Sequence, residues 1–311
     1  MNNSHHNRTC SVATSVSEWT NAAFHSLTLV ATKPFGRGLL FAMAFTLRAA
    51  EPAAPPLKFD FGSGPVAPGY TQVRPDMLYS RERGYGFEPG AALTTVDRGG
   101  DALRGDFITS ARPFYFTARV PGEGNYRVTV TLGDAKGESI TTIKTELRRL
   151  MVEKIATAPG KFATATFIVN TRTPQIAATD GIKEGEVKLK APRETTQEAW
   201  AWDDALTLEF GNTHPAVCAV EIAKVDVPTI FLIGDSTVCD QSKEPYNSWG
   251  QMLTRFFKPD IAVANHAESG ETYRDSSAHD CSGQAGSGGL RALRVGFDRR
   301  GRRRAPRVAP G

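Results

Sequence analysis

The hydrophobic pattern of this chain changes character once, at Asp226-Val227-Pro228, and that change limits the folds open to it. Upstream, apolar and polar residues alternate over short runs broken by Gly, Pro, Asn and Asp, the pattern of half-buried antiparallel strands. Downstream, Thr229-Ile230-Phe231-Leu232-Ile233 is unbroken, as in a strand covered on both faces of a parallel sheet. Two architectures are therefore expected in one chain of 311 residues, a length that accommodates two domains.

The upstream part spans residues 57–226. Asn125–Leu132 alternates in and out between Pro121-Gly122-Glu123-Gly124 and Gly133-Asp134. Lys161–Val169, Glu186–Lys190, Leu206–Phe210 and Val217–Ile222 read as further strands, while Thr145–Ile155 is open to either helix or strand. Many short strands with Gly/Pro turns predict a β-sandwich.

The downstream strand runs into Gly234-Asp235-Ser236-Thr237. Trp249, Met252, Leu253, Phe256 and Phe257 then fall at the spacing of an amphipathic helix, closed by Pro259. Ile261–Ala264 is a second buried strand, leading to Asn265-His266-Ala267-Glu268-Ser269-Gly270. Strand, helix, strand opens a doubly wound α/β domain, whose reactive groups gather at the carboxyl ends of the strands. Ser236 and Gly270 lie at those ends. A serine there can present its hydroxyl to a substrate carbonyl, and a glycine backbone N–H can face the oxygen that becomes negative during acyl transfer.

The two ends differ from this body. Lys33–Arg37 precedes the apolar run Gly38–Leu47, and a small-residue, proline-containing stretch follows from Ala49 to Pro56. Positive flank, short apolar core and small-residue exit are the parts of a secretory signal, so export to the periplasm or medium is expected. The run falls well short of the ~20 residues of a membrane span, and no stable membrane anchor is expected. A signal should begin near the initiator, so the expected true start is near residue 33. At the other end, Ser282–Gly311 holds eight arginines, no lysine and one acid, leaving 29 basic against 32 acidic residues before it. The body is slightly acidic, so overall charge gives no case for nucleic-acid binding. The tail composition suggests GC-rich DNA read out of frame, with a disordered basic tail as the alternative. Cys10 and Cys281 lie in these ends, and the sequence does not say whether Cys218 and Cys239 pair. His5-His6 has no downstream partners, no Cys/His cluster has metal-ligand spacing, and no metal or cofactor is expected.

Two resemblances sharpen the reading. Lys58-Phe59-Asp60-Phe61-Gly62 and Trp202–Phe210 are similar to the galactose-binding-like jelly-roll modules found ahead of some pectin-side-chain esterases. That resemblance makes Trp200, Trp202, Tyr79 and Tyr85 candidates for sugar contact. Core or interdomain packing is the commoner fate of such rings, so no binding residue is assigned in this domain. Ile233–Thr237 and Asn265–Thr272 resemble the first two sequence blocks of SGNH (GDSL-type) hydrolases, the rhamnogalacturonan acetylesterase group above all. The resemblance implies a flavodoxin-like α/β fold and removal of acetyl groups from pectin. Ser236 would be the nucleophile, its N–H and that of Gly270 oxyanion donors, and Asp235 an organiser of the turn.

The same family supplies an Asp-x-x-His motif and an Asn in a Gly-x-Asn-Asp block, and neither occurs in this chain. Asp275-Ser276-Ser277-Ala278-His279 is one residue too long, and neither His266 nor His214 is expected to act as the base. The reading is thus of a leader and linker (1–56), a sandwich (57–226), a partial hydrolase domain (227–275) and a disordered Arg-rich tail (276–311). Residues 228–274 are expected to pack poorly unless they lean on the sandwich. The function expected is a secreted carbohydrate esterase acting on acetylated plant polysaccharide, impaired by truncation. The alternative is a carbohydrate-binding module with a vestigial hydrolase segment, and a nucleic-acid-binding tail is a distant third.

Overall fold

The structure, a computed structural model, describes residues 54–178 and 183–270 and the backbone strand Arg291–Ala292. The signal-like run, His5-His6, Cys10, Cys281, Asp275–His279 and nearly all of the Arg-rich tail lie outside the described residues.

Among the described residues, fourteen strands precede Asp226. They begin with β1 (Leu57–Phe61), β2 (Thr71–Val73), β3 (Tyr85–Phe87), β4 (Thr94–Asp97), β5 (Asp106–Thr109) and β6 (Phe114–Arg119). The long strands β7 (Gly124–Asp134), β8 (Ser139–Thr145), β9 (Arg149–Thr157) and β10 (Lys161–Thr171) follow. A minor hairpin of β11 (Gln175–Ile176) and β12 (Gly185–Glu186) precedes β13 (Ala205–Gly211) and β14 (Val217–Val225). One sheet of seven strands runs β10-β7-β14-β1-β2, with β5 on β14 and β4 on β5; the other, of five, runs β3-β6-β13-β8-β9. Most pairs are antiparallel, but β1 and β2 run parallel.

Alternation sets the register. In β7 the side chains of Tyr126, Val128, Val130 and Leu132 are buried while Arg127 between them is exposed, so a slip by one residue would turn the apolar set to water. β10 pairs with β7 along its whole length, from Lys161 opposite Asp134 to Thr171 opposite Gly124. The ambiguous stretch Thr145–Ile155 is a hairpin, not a helix: β8 turns into β9 through Glu146 and Arg148, both at positive φ. Between the sheets Phe61, Phe87, Phe114, Phe116 and Phe210 meet mostly edge to face, with centroids 4.8–6.4 Å apart. Offset and edge contacts of this kind add to the area such rings bury.

Past Asp226 the chain forms β15 (Thr229–Leu232), the short helix α1 (Trp249–Leu253), a 3₁₀ turn at Thr254–Phe256 and β16 (Ala262–Asn265). β16 lies parallel to β15, and a two-residue strand β17 (Arg291–Ala292) lies parallel on its other side. The sequence reading placed two strands here and none within 276–311.

A helix starts where the spacing put it but gives way to the 3₁₀ turn after Leu253. Its apolar stripe is only partly buried: Leu253 and Phe257 pack on the segment's apolar cluster while other members face solvent. Trp249 is 38% and Phe256 70% exposed, whereas Gly250, Gln251 and Thr254 are buried. Carbonyls of the β8–β9 hairpin account for the buried polar side chains among them. Gln251 Nε2 donates to Leu147 O at 2.5 Å and Thr254 Oγ1 to Leu150 O at 2.7 Å, so these polar side chains satisfy buried backbone acceptors. Gly250 sits so near Val238 O that a Cβ would lie 2.2 Å from it. Ser248 caps the helix, accepting from Gln251 N at 3.0 Å. Among the described residues no helix is long and apolar enough to cross a membrane.

Candidate active site and its support

Two residues past the end of β15 comes Gly234, whose Cβ, if it had one, would lie 2.7 Å from Val238 Cγ2. The turn that follows is closed by Val238 N and Cys239 N, both donating to Asp235 O at 2.9 and 3.0 Å. Asp235 Oδ1 accepts from Thr237 N at 2.9 Å and from Thr237 Oγ1 at 2.8 Å, the geometry of a side chain that shapes a turn. This leaves Ser236 exposed on the turn. Its carbonyl accepts from Gln241 Nε2 at 3.0 Å.

The second loop emerges beside the first. Parallel pairing continues past β16, with His266 N donating to Leu232 O at 2.9 Å and Glu268 N to Gly234 O at 3.0 Å. Gly270 follows two residues later at φ 81°, in the left-handed region that glycine enters without strain. Asn265 Nδ2 ties the loops together through Val238 O and Asp240 Oδ1, both at 2.8 Å.

His266 does not complete a catalytic pair with Ser236. Its ring packs on Phe231 at 5.5 Å, and its buried Nε2 has no hydrogen-bond partner. Burial, reinforced by Arg172 and Arg149 nearby, pushes its pKa down to about 3, so the imidazole stays neutral. His214 is an exposed loop residue at φ 51° in the sandwich. Cys218 and Cys239 are both free and buried, and burial raises each thiol to about 12. Among the described residues no group of three or more His, Cys, Asp or Glu side chains is gathered to hold a metal ion.

Sequence pattern gave no sign of what supports these loops, a set of sandwich arginines. Arg149 Nε meets Asp240 Oδ2 at 2.5 Å with both side chains almost fully buried. Arg172 donates to Asn265 O at 2.9 Å and to Glu268 Oε1 at 3.3 Å, and lies 4.0 Å over the Trp202 ring. Arg193 donates to Ser269 O at 2.8 Å and Glu268 Oε2 at 3.1 Å. Burial, with Glu194 and Glu198 close by, still raises the Glu268 carboxyl to about 8 against the pull of Arg172. Residues 229–270 thus do lean on the sandwich.

The four candidate aromatics divide. Trp202 is an interface residue beneath Arg172, and Trp200 packs on Tyr115 at 5.3 Å. Tyr79 is partly buried near Asp203 and Asp204, which with desolvation raise its hydroxyl. Tyr85 lines an open cleft.

Known proteins resemble this chain. Residues 57–187 match the family model described as Beta-agarase/YXIM esterase-like, galactose-binding domain-like. The chain is 30% identical over 252 residues to the uncharacterised esterase YxiM of Bacillus subtilis (strain 168), a match covering 76% of this chain and 56% of that relative. The chain therefore spans little more than half of that relative's length. The crystal structure of B. subtilis YxiM aligns over 71% of this chain and 56% of its own, at 25% identity and a TM-score of 0.40. A family 35 carbohydrate-binding module from Clostridium thermocellum aligns over 55% of this chain and 100% of its own, at 9% identity and a TM-score of 0.28. Residues 57–187 are thus similar to an esterase-related galactose-binding-like domain, and 76% of the chain is similar to an esterase.

Proposed function

We propose that this chain derives from an exported SGNH-type carbohydrate esterase that removes acetyl groups from a pectic polysaccharide such as rhamnogalacturonan, the sandwich holding the polysaccharide. The observation that carries the reading is Ser236, exposed on a side-chain-locked turn at the carboxyl end of a parallel strand, beside the loop that ends in Gly270. In acyl transfer the Ser236 Oγ bonds to the acetyl carbon, its proton passes to a base, and the sugar alkoxide leaves with a proton in return. The Ser236 and Gly270 N–H groups would face the transient oxyanion.

Among the described residues no histidine is hydrogen-bonded to Ser236. The sequence has no Asp-x-x-His motif, and His266 is buried and neutral. That observation supports a second reading, a carbohydrate-binding protein whose hydrolase segment no longer turns over. Triad members act as a unit, and loss of one leaves roughly 10³–10⁴-fold residual catalysis in a well-formed site. Acetate release from acetylated rhamnogalacturonan by the 311-residue chain should therefore barely exceed background and change little in Ser236→Ala. Robust release abolished by Ser236→Ala would overturn the impaired reading. A glycan array then decides whether carbohydrate binding survives without turnover.

A further inference from the structure

Away from Ser236, the two sheets of the sandwich part along one edge and leave a cleft of about 700 Å³. β1 and the start of β2 form one wall, and β3 with the end of β6 forms the other. Tyr85 lines it half-buried, its ring held against Phe59 at 5.1 Å, with Val120 and Pro121 adding apolar surface.

The charge around this aromatic wall is unbalanced. Lys58, Arg83 and Arg119 bring three cations to the lining, and Asp204 brings the one anion. Asp204 is shared, meeting Arg119 Nε at 2.8 Å and Arg81 Nη2 at 3.2 Å. Lys58 reaches Glu221 only at 3.5 Å, and Glu221 also accepts the Tyr70 hydroxyl. Arg83 donates from Nη1 to Leu78 O at 2.7 Å and has no carboxylate partner among the described residues. Its guanidinium is thus anchored at one nitrogen with other donors unused, in a chain whose residues before Ser282 are net acidic.

An inorganic anion would use the cations and ignore the ring; a neutral sugar would use the ring and leave the cations unanswered. We infer that the cleft binds an anionic saccharide, a sugar ring packing on Tyr85 while its carboxylate or sulfate group takes the fork of Arg83, with Lys58 and Arg119 adding to the field. Guanidinium matches both anions through paired charge-assisted hydrogen bonds. This inference rests on the carbohydrate reading above and adds to it a place and a charge.

Titration calorimetry on the full chain tests it, with trigalacturonate, sulfated galactotriose, neutral galactotriose and sodium sulfate as probes. At least one anionic saccharide should bind about tenfold or more tighter than galactotriose, and Arg83→Gln should weaken it by about tenfold or more. Added salt should weaken it further. Whichever anionic probe binds identifies the group recognised. Galactotriose binding as tightly as either anionic saccharide would overturn the inference. Sugar binding untouched by both Arg83→Gln and Lys58→Gln would remove the cleft and keep the carbohydrate reading. Sodium sulfate binding as well as the saccharides would reduce the cleft to a simple anion site and overturn it. Absence of binding by all three saccharides would sink both readings together.

Discussion

The sandwich and the segment after it are held by different physics. The sandwich closes on a large apolar core in which seven phenylalanines are almost wholly buried. The 229–270 segment has a small cluster of its own, Leu232, Val238, Cys239, Val263 and Ala267, with Ile230, Leu253 and Phe257 beside it. Further support is polar and comes from the sandwich, through Arg149, Arg172, Arg193 and the carbonyls of the β8–β9 hairpin. A core of the first kind is non-directional and tolerates relaxation. An interface of the second kind fixes geometry, and it fails sharply when one partner is removed. The loops that carry Ser236 and Gly270 are therefore positioned by the other domain as much as by their own.

Two substitutions of similar chemical size should separate the regions. Phe116 contacts Phe59, Phe61 and Phe87, so Phe116→Ala opens a cavity at the centre of the sandwich. A loss of ~3–5 kcal/mol is expected, with one cooperative melt shifted for the whole described chain. If the 229–270 segment melted unchanged while the sandwich unfolded, its dependence on the sandwich would be refuted.

Arg149→Ala should act locally. It strips the buried Asp240 of its cation, a loss on the order of 3 kcal/mol. Hydrogen exchange should quicken at Phe231, Asp240 and Ala264 while Val128 and Val130 in β7 stay protected. Equal acceleration in both regions would mean that the interface and the core are one cooperative unit, and the contrast would fall. Replacing both partners with apolar residues should recover much of the loss, because the burial of unpaired charge then disappears.

The parts legible in the sequence are those governed by local periodicity. β7, β10, β13 and β14 alternate over enough residues to show themselves, and the unbroken run at Thr229–Ile233 betrays a parallel strand. β3 consists only of Tyr85-Gly86-Phe87, too short to carry a period, and Gly86 at φ 150° lies where a Cβ would strike the backbone of Leu78 and Tyr79. The turn chemistry of Asp235 was readable because donor and acceptor lie two residues apart. Arg149 and Asp240 lie 91 residues apart, and opposite sign says nothing about which charge meets which. The helix shows the same limit. Apolar residues at helical spacing locate α1 and the turn after it, but the burial of Gln251 and Thr254 answers carbonyls at Leu147 and Leu150, which no pattern within the helix records.

The smallest effect expected concerns pH, and it isolates the polar interface from the core. The Glu268 carboxyl, ordinarily near 4.5, is held at about 8 by burial and by the neighbouring Glu194 and Glu198, against the pull of Arg172. Arg193 and the Ser269 carbonyl complete its surroundings. The folded chain thus keeps a proton that the unfolded chain releases, so this stabilisation is complete below about pH 4.5 and is lost as pH rises through about 8. Asp203, raised to about 7, and Asp60, raised to about 6, act in the same direction within the sandwich, so the wild-type slope alone assigns nothing. Glu268→Gln separates them, because the amide resembles the protonated acid and carries no charge to expel. Thermal melts at about pH 5 and about pH 8.5 should show wild type and variant close together at the lower value and the variant more stable at the higher. Melting curves that stay parallel across that range would show that Glu268 is ionised in the folded chain, and that its two arginines outweigh its burial.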